Sequence, residues 1–191
     1  MKPLTVIGVL LTLAFATSAC GSAMTQAQKD RETIERESSA DQLFRKGEAS
    51  ASLGDMIRAE QYYVAALKAG GDERQIVQRL IRVCVVDQRY PAALQYAQDY
   101  LYRHPSDIEV RFAAGSIFAV IGDTANAQKY LEEVVRARPE WPDAHFALAT
   151  VLREQGELVE RADYHDVQYL RLSPSGPLAE RARARLRRSD P

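Results

Sequence analysis

Cysteine is nearly absent from the sequence, and the two present, Cys20 and Cys84, are not placed to staple a small secreted domain. Cys20 closes an apolar leader and Cys84 lies deep in the chain, so a disulfide scaffold is excluded. A charge excess of either sign is missing as well. The 25 basic and 26 acidic side chains leave a formal charge of −1, which gives no bulk attraction to nucleic acid. Long apolar runs are also lacking. The stretch Leu4 to Ala16 is too short to cross a bilayer, which takes about 20 residues. Catalytic patterns are missing too. The three histidines, His104, His145 and His165, share no metal-ligand spacing on one helix face, and no nucleotide loop, serine elbow or supported carboxylate pair occurs. The cluster Asp163, His165 and Asp166 reads as a solvated helix face. These absences argue for a protein that is not an enzyme and uses no cofactor, metal or small-molecule substrate.

What is present begins with the leader. Lys2, the run Leu4 to Ala16 and the small residues Thr17-Ser18-Ala19 before Cys20 have the layout of an export signal. The small residues ahead of Cys20 resemble a bacterial lipobox, although Thr17 stands where that family most often has leucine. The resemblance implies diacylglycerol on the Cys20 thiol, removal of residues 1–19 and acylation of the new amino group. Two or three chains then anchor the protein firmly, at about 0.8 kcal/mol per buried methylene. Gly21 and Ser22 lack the aspartate that retains enteric lipoproteins in the inner membrane, so the resemblance favours the outer membrane. Ordinary cleavage near Cys20 or after Ala23 is the competing reading and gives a soluble exported protein. Residues 20–39 are polar and charged, with Met24 and Ile34 as the sizeable apolar side chains. They read as a tether, transiently helical from Lys29 to Glu37.

The rest of the chain is periodic. Ala59, Ala93 and Ala127 recur every 34 residues, and Pro105 and Pro139 repeat that interval. A unit of this length holds two helices and cannot bury its own apolar face, so units stack and share a core. Small residues go where helices approach closely, and prolines go between helices. The pattern resembles the tetratricopeptide repeat (TPR), which implies an all-α, right-handed superhelical solenoid. Repeats fall at 40–73, 74–107, 108–141 and 142–176. The first carries Leu43, Gly47, Gly54, Asp55, Ala59, Tyr63 and Ala66 in pattern. In the second, Ile81 replaces the usual small residue and Gln88-Arg89 replaces the Gly-Asp turn, predicting a wider helix crossing. In the fourth, Ala162, Tyr169 and Pro174 arrive one residue late, so an extra residue is expected within 157–160. Residues 177–191 form a basic capping helix and tail, with Leu178, Ala182 and Leu186 as the apolar edge and the arginines on a soluble outer face.

Transferring the family's concave positions, on the first helix of each repeat, gives a candidate groove: Phe44, Arg45, Glu48, Gln78, Arg79, Arg82, Val86, Phe112, Ser116, Val120, Phe146, Thr150 and Arg153. Phenylalanine takes the fifth position in three of the four repeats. Rings interleaved with arginines suit a protein or peptide partner with acidic character; the alternative is that the rings pack inward and the arginines are simply hydrated. Trp141 and Pro142 are expected to cap the core at an inter-repeat corner, and Cys84 to be a buried, inert thiol. The chaperone-tail clamp of one TPR subgroup is absent, since Phe44 and Glu48 stand at its lysine and asparagine positions. The expected function is an outer-membrane lipoprotein scaffold that assembles or positions an envelope machine such as a pilus secretin, motility or secretion complex. The alternative is an adaptor for peptidoglycan enzymes.

Overall fold

A computed structural model describes residues 25–37, 39–156 and 159–189. The leader, Cys20 and, of the range 157–160 where the insertion is expected, residues 157–158 lie outside them. The chain divides between Glu35 and Arg36. At this boundary lies α1 (Gln26–Glu37), which begins three residues earlier than the sequence suggested and leaves Ile34 exposed. Its composition explains the modest difference: Gln, Lys, Arg and Glu are good helix formers even without a core to pack on.

The second unit is a succession of helix pairs: α2 (Ala40–Ser52) with α3 (Met56–Lys68), α4 (Glu73–Val86) with α5 (Tyr90–Arg103), α6 (Ile108–Val120) with α7 (Thr124–Ala137), and α8 (Pro142–Glu154) with α9 (Val159–Leu172). The helix α10 (Ala179–Ser189) closes the series. The second helices start at Met56, Tyr90, Thr124 and Val159. The intervals are thus 34, 34 and 35 residues, a single extra residue before the last.

Local chemistry sets the boundaries. Asp55, Asp72, Asp107 and Asp123 are N-caps whose carboxylates accept from the backbone N–H three residues on, at 2.7–3.1 Å, satisfying donors the helix itself leaves open. Pro91 and Pro142 occupy first-turn positions, where the missing N–H costs nothing. The turns inside the repeats place Gly54, Gly122 and Gly156 at φ +81°, +80° and +74°. The equivalent residue of the second repeat is Gln88, at φ 56°.

The alanines meet the closest helix approach: Ala59, Ala93, Ala127 and Ala162 are fully buried. Gly47 is held by contact, because a Cβ there would lie 2.6 Å from the buried Tyr63 ring. At the corresponding place Ile81 is buried instead, and α4 and α5 touch less extensively than the other pairs, as the larger side chain requires. Cys84 is fully buried, and burial, with Glu60 nearby, pushes its thiol up to about 11, so the reactive thiolate is suppressed.

Candidate functional site

The first helices of the repeats, α2, α4, α6 and α8, present the candidate positions, and the structure sorts them into three groups. At the N-terminal end the residues form a packed network. The Phe44 ring lies 5.5 Å from Tyr63, with the Arg79 guanidinium 6.0 Å from its centre. Glu48 accepts from Tyr63 Oη at 2.5 Å and from Arg79 Nε at 2.7 Å. Burial and the Glu48 contact raise the Tyr63 hydroxyl above its usual range, so it stays protonated and donates. Arg45 is exposed at the edge of a small cavity beside α2.

The middle of the series is open. A cavity of ≈ 450 Å³ lies between α4 and α6, walled by Ile81, Val85, Val110, Phe112, Ala113 and Trp141, with Gln78, Arg82 and Glu109 at its polar margin. The Trp141 ring tilts against Phe112 at 4.5 Å, and the Arg138 guanidinium lies over the Trp141 ring at 4.9 Å. Trp141 therefore belongs to this site rather than serving only as a corner cap. It is the N-cap of α8 and makes no side-chain cap bond, which leaves the indole free to lean over the preceding repeat. Glu109 is already occupied by Arg74 at 2.8 Å, by Arg138 at 3.6 Å and by Gln78 at 3.5 Å. Arg82 is exposed and meets no carboxylate within ion-pair distance among the described residues. It also lines a second cavity, ≈ 280 Å³, with Glu48, Met56, Arg79 and Val86. Ser116 is half-buried on α6, and Val120 is exposed at its end.

The C-terminal third is closed. Phe146 is buried against Tyr169, and the guanidinium groups of Arg185 and Arg181 from α10 lie 4.2 and 5.5 Å from its ring. Thr150 Oγ1 accepts from Arg185 at 2.9 Å and donates to the Phe146 carbonyl. Arg153 pairs with Asp163 and, at 2.9 Å, with Asp166. These three candidates are thus covered by the capping helix and by α9. The cap is not uniformly a solvated basic face either, because Arg185 turns inward toward Asp166.

The expectation of a solvated Asp163-His165-Asp166 face is corrected at the same place. Asp166 is fully buried, and burial raises its carboxyl above the usual value against the opposing pull of Arg153 and Arg185. His165 is also buried, with its Nδ1 2.9 Å from Nδ1 of His145. His145 Nε2 lies 2.9 Å from the Pro139 carbonyl, an acceptor, so the neutral pair takes one tautomeric arrangement. His145 donates from Nε2, and His165 donates from Nδ1 to His145 Nδ1. Two of the three histidines thus meet in the fold although they lie on different helices. The extra residue before α9 offsets these residues by one from the 34-residue count, which hides from that count that Asp166 holds the place of buried Leu131. Among the described residues no group of three or more His, Cys, Asp or Glu could hold a metal ion, and no helix is long and apolar enough to cross a membrane.

Comparison with known proteins agrees with this architecture. Residues 112–177 match the family model described as tetratricopeptide repeat. The chain is 28% identical over 131 residues to Protein O-mannosyl-transferase TMTC1 of Homo sapiens, a match covering 69% of this chain and 15% of that protein. Among solved structures, YrrB, described as a TPR protein with an unusual peptide-binding site, superposes with a TM-score of 0.67 at 23% identity, over 83% of this chain and 81% of that one. MamA from Desulfovibrio magneticus RS-1 gives 0.66 at 18% identity, over 79% and 85%. At such identities the likeness establishes the fold, and the chain is an all-α tetratricopeptide-repeat solenoid with its candidate groove open between α4 and α6.

Proposed function

We propose that the protein is a non-enzymatic scaffold, anchored in the outer membrane through acylated Cys20, whose repeats capture a protein partner in the periplasm and help assemble or position an envelope machine. The TPR fold supports the coarser part of this reading, since stacked repeats expose continuous concave surfaces suited to proteins and peptides. The observation that carries it is the apolar cavity beside Phe112 and Trp141 with Arg82 at its rim. Aromatic and arginine side chains clustered around a concave apolar site are the residue types that dominate interface energy. The anchor rests on the leader and on Thr17-Ser18-Ala19-Cys20. The O-mannosyl-transferase relative does not change the reading, because the match spans so little of that protein.

Two measurements test the reading. Cys20→Ala should release the protein from the outer-membrane fraction into the soluble periplasm, and continued fractionation with the membrane would refute attachment through that residue. Phe112→Ala combined with Arg82→Ala should lose a crosslinked envelope partner while circular dichroism stays helical. Undiminished crosslinking would move capture away from this groove.

A further inference from the structure

The three phenylalanines at the fifth repeat position are chemically alike but differently covered. The Phe44 ring has Arg79 of the next repeat above it, and Phe146 has Arg185 and Arg181 of the capping helix. Each of these sites is completed by the chain's own cation. Phe112 is the exception. Its neighbour is Trp141, no guanidinium lies over its ring among the described residues, and the space beside it is the ≈ 450 Å³ cavity. That volume is in the range that holds a small ligand or one or two large side chains.

Charge is similarly uneven along the groove. Arg79 is spent on Glu48, and Arg153 and Arg185 on Asp166. Glu109, the acidic group at the cavity margin, is matched by Arg74 and Arg138. Arg82 keeps its charge uncompensated among the described residues, and it borders both the large cavity and the smaller one next to it. A cation at the shared wall of two cavities favours an occupant with negative charge between two anchoring contacts.

We propose that the centre of the groove takes a peptide segment carrying a large apolar side chain, aromatic or leucine, next to a carboxylate. The apolar group enters the cavity beneath Trp141, and the carboxylate meets Arg82. This rests on the groove-capture reading above and specifies the chemistry of its ligand.

Trp141 is the single tryptophan of the chain, so its emission reports occupancy of this cavity in the full-length protein. The probes are the capped tetrapeptide Ac-Ala-Phe-Asp-Ala-NH2, an analogue with asparagine for aspartate, and an analogue with alanine for phenylalanine. The acidic aromatic peptide should shift Trp141 emission saturably. The asparagine analogue should bind about fivefold more weakly, the worth of one half-exposed ion pair. In Arg82→Gln the first two peptides should become equal. Ala113→Phe fills the cavity and should abolish the response; Phe112→Leu, which keeps an apolar wall but removes the stacking ring, should weaken it. Equal binding of the acid and amide peptides, or discrimination that survives Arg82→Gln, overturns the carboxylate assignment. Equal binding of the alanine analogue overturns the cavity assignment, and no saturable response to any probe overturns the proposal as a whole. Partner crosslinking that persists in both Arg82→Gln and Ala113→Phe would defeat this proposal and place capture on another surface of the scaffold. Absence of any crosslinked partner in the unmodified protein would instead remove the reading beneath it.

Discussion

Replacing Gln88 with glycine should stabilise the protein, although the substitution removes a side chain and adds no contact. The turn between the helices of the first three repeats closes in one way. The N–H after the turn residue bonds back five positions, from Asp55 to Ser50 at 3.0 Å, from Arg89 to Cys84 at 2.8 Å and from Asp123 to Phe118 at 2.9 Å. That closure needs positive φ at the residue before the donor. Gly54 and Gly122 supply it at +81° and +80°, whereas Gln88 is forced to 56°. A left-handed residue with a Cβ costs roughly 1–2 kcal/mol, and glycine gives back roughly 0.5–1 kcal/mol through its freer unfolded chain. The expected net gain is about 0.5–1 kcal/mol. For a domain of this size that raises Tm by about 1–4 °C, which thermal or urea unfolding followed by circular dichroism resolves. Gln88 is exposed, so loss of its side-chain contacts is a minor term. Gln88→Ala is the decisive control, since it shortens the side chain but keeps the Cβ and should yield no gain. In the opposite direction, Gly122→Ala should lose about 1 kcal/mol although a Cβ there meets nothing within 4 Å. If Gln88→Gly is neutral or destabilising, or if alanine stabilises equally, backbone strain at this turn is not what distinguishes the second repeat.

Arg89→Asp would restore the capping residue found at Asp55 and Asp123, worth about 1 kcal/mol, yet it should destabilise by about 1–2 kcal/mol net. Glu60, largely buried and already accepting from Tyr96 at 2.8 Å, would lose the Arg89 guanidinium at 2.6 Å and gain a second carboxylate; stabilisation in urea melts would show that pairing to be unimportant. Burial, with His145 and Arg161 acting in the same direction and Glu132 opposing them, lowers His165 from 6.5 to about 4. The unfolded chain therefore binds a proton that the folded one refuses, and the His165 contribution is complete above pH 6.5 and lost as pH falls toward 4, about 3 kcal/mol in all. His165→Gln should flatten that window relative to the unmodified protein, and parallel pH–stability curves would refute the assignment. Arg185→Leu should cost about 1–3 kcal/mol because fully buried Asp166 keeps Arg153 but loses its second guanidinium. Adding Asp166→Asn should recover part of the loss; a double variant as weak as the single would place the effect in packing on Phe146.

The parts of this molecule that spacing could reach are those whose chemistry is local. An alanine at the closest helix approach, a glycine at positive φ and an aspartate at an N-cap each answer to constraints within a few residues, so Ala59, Gly54 and Asp55 announce themselves and recur at the repeat interval. Gln88 shows the same logic from the other side, for the fold imposes the turn even where the residue resists it. Groove residues obey a different rule. Register places Phe44, Phe112 and Phe146 on equivalent faces, but whether such a face is open depends on what the next element carries, and that element differs each time. Arg79 covers the first ring and Arg185 the last, while Trp141 stands beside the middle one and leaves a cavity next to it. The last repeat is the least transferable of all. Its neighbour is a capping helix rather than another repeat, and Arg185 of that helix joins Arg153 on buried Asp166, while His145 meets His165 inside the repeat. A repeat pattern therefore identifies the surface a solenoid offers, and the identity of each neighbouring side chain decides how much remains available. Here that selection leaves the space between α4 and α6, where Arg82, without a carboxylate partner among the described residues, and a pair of aromatic rings face the same opening.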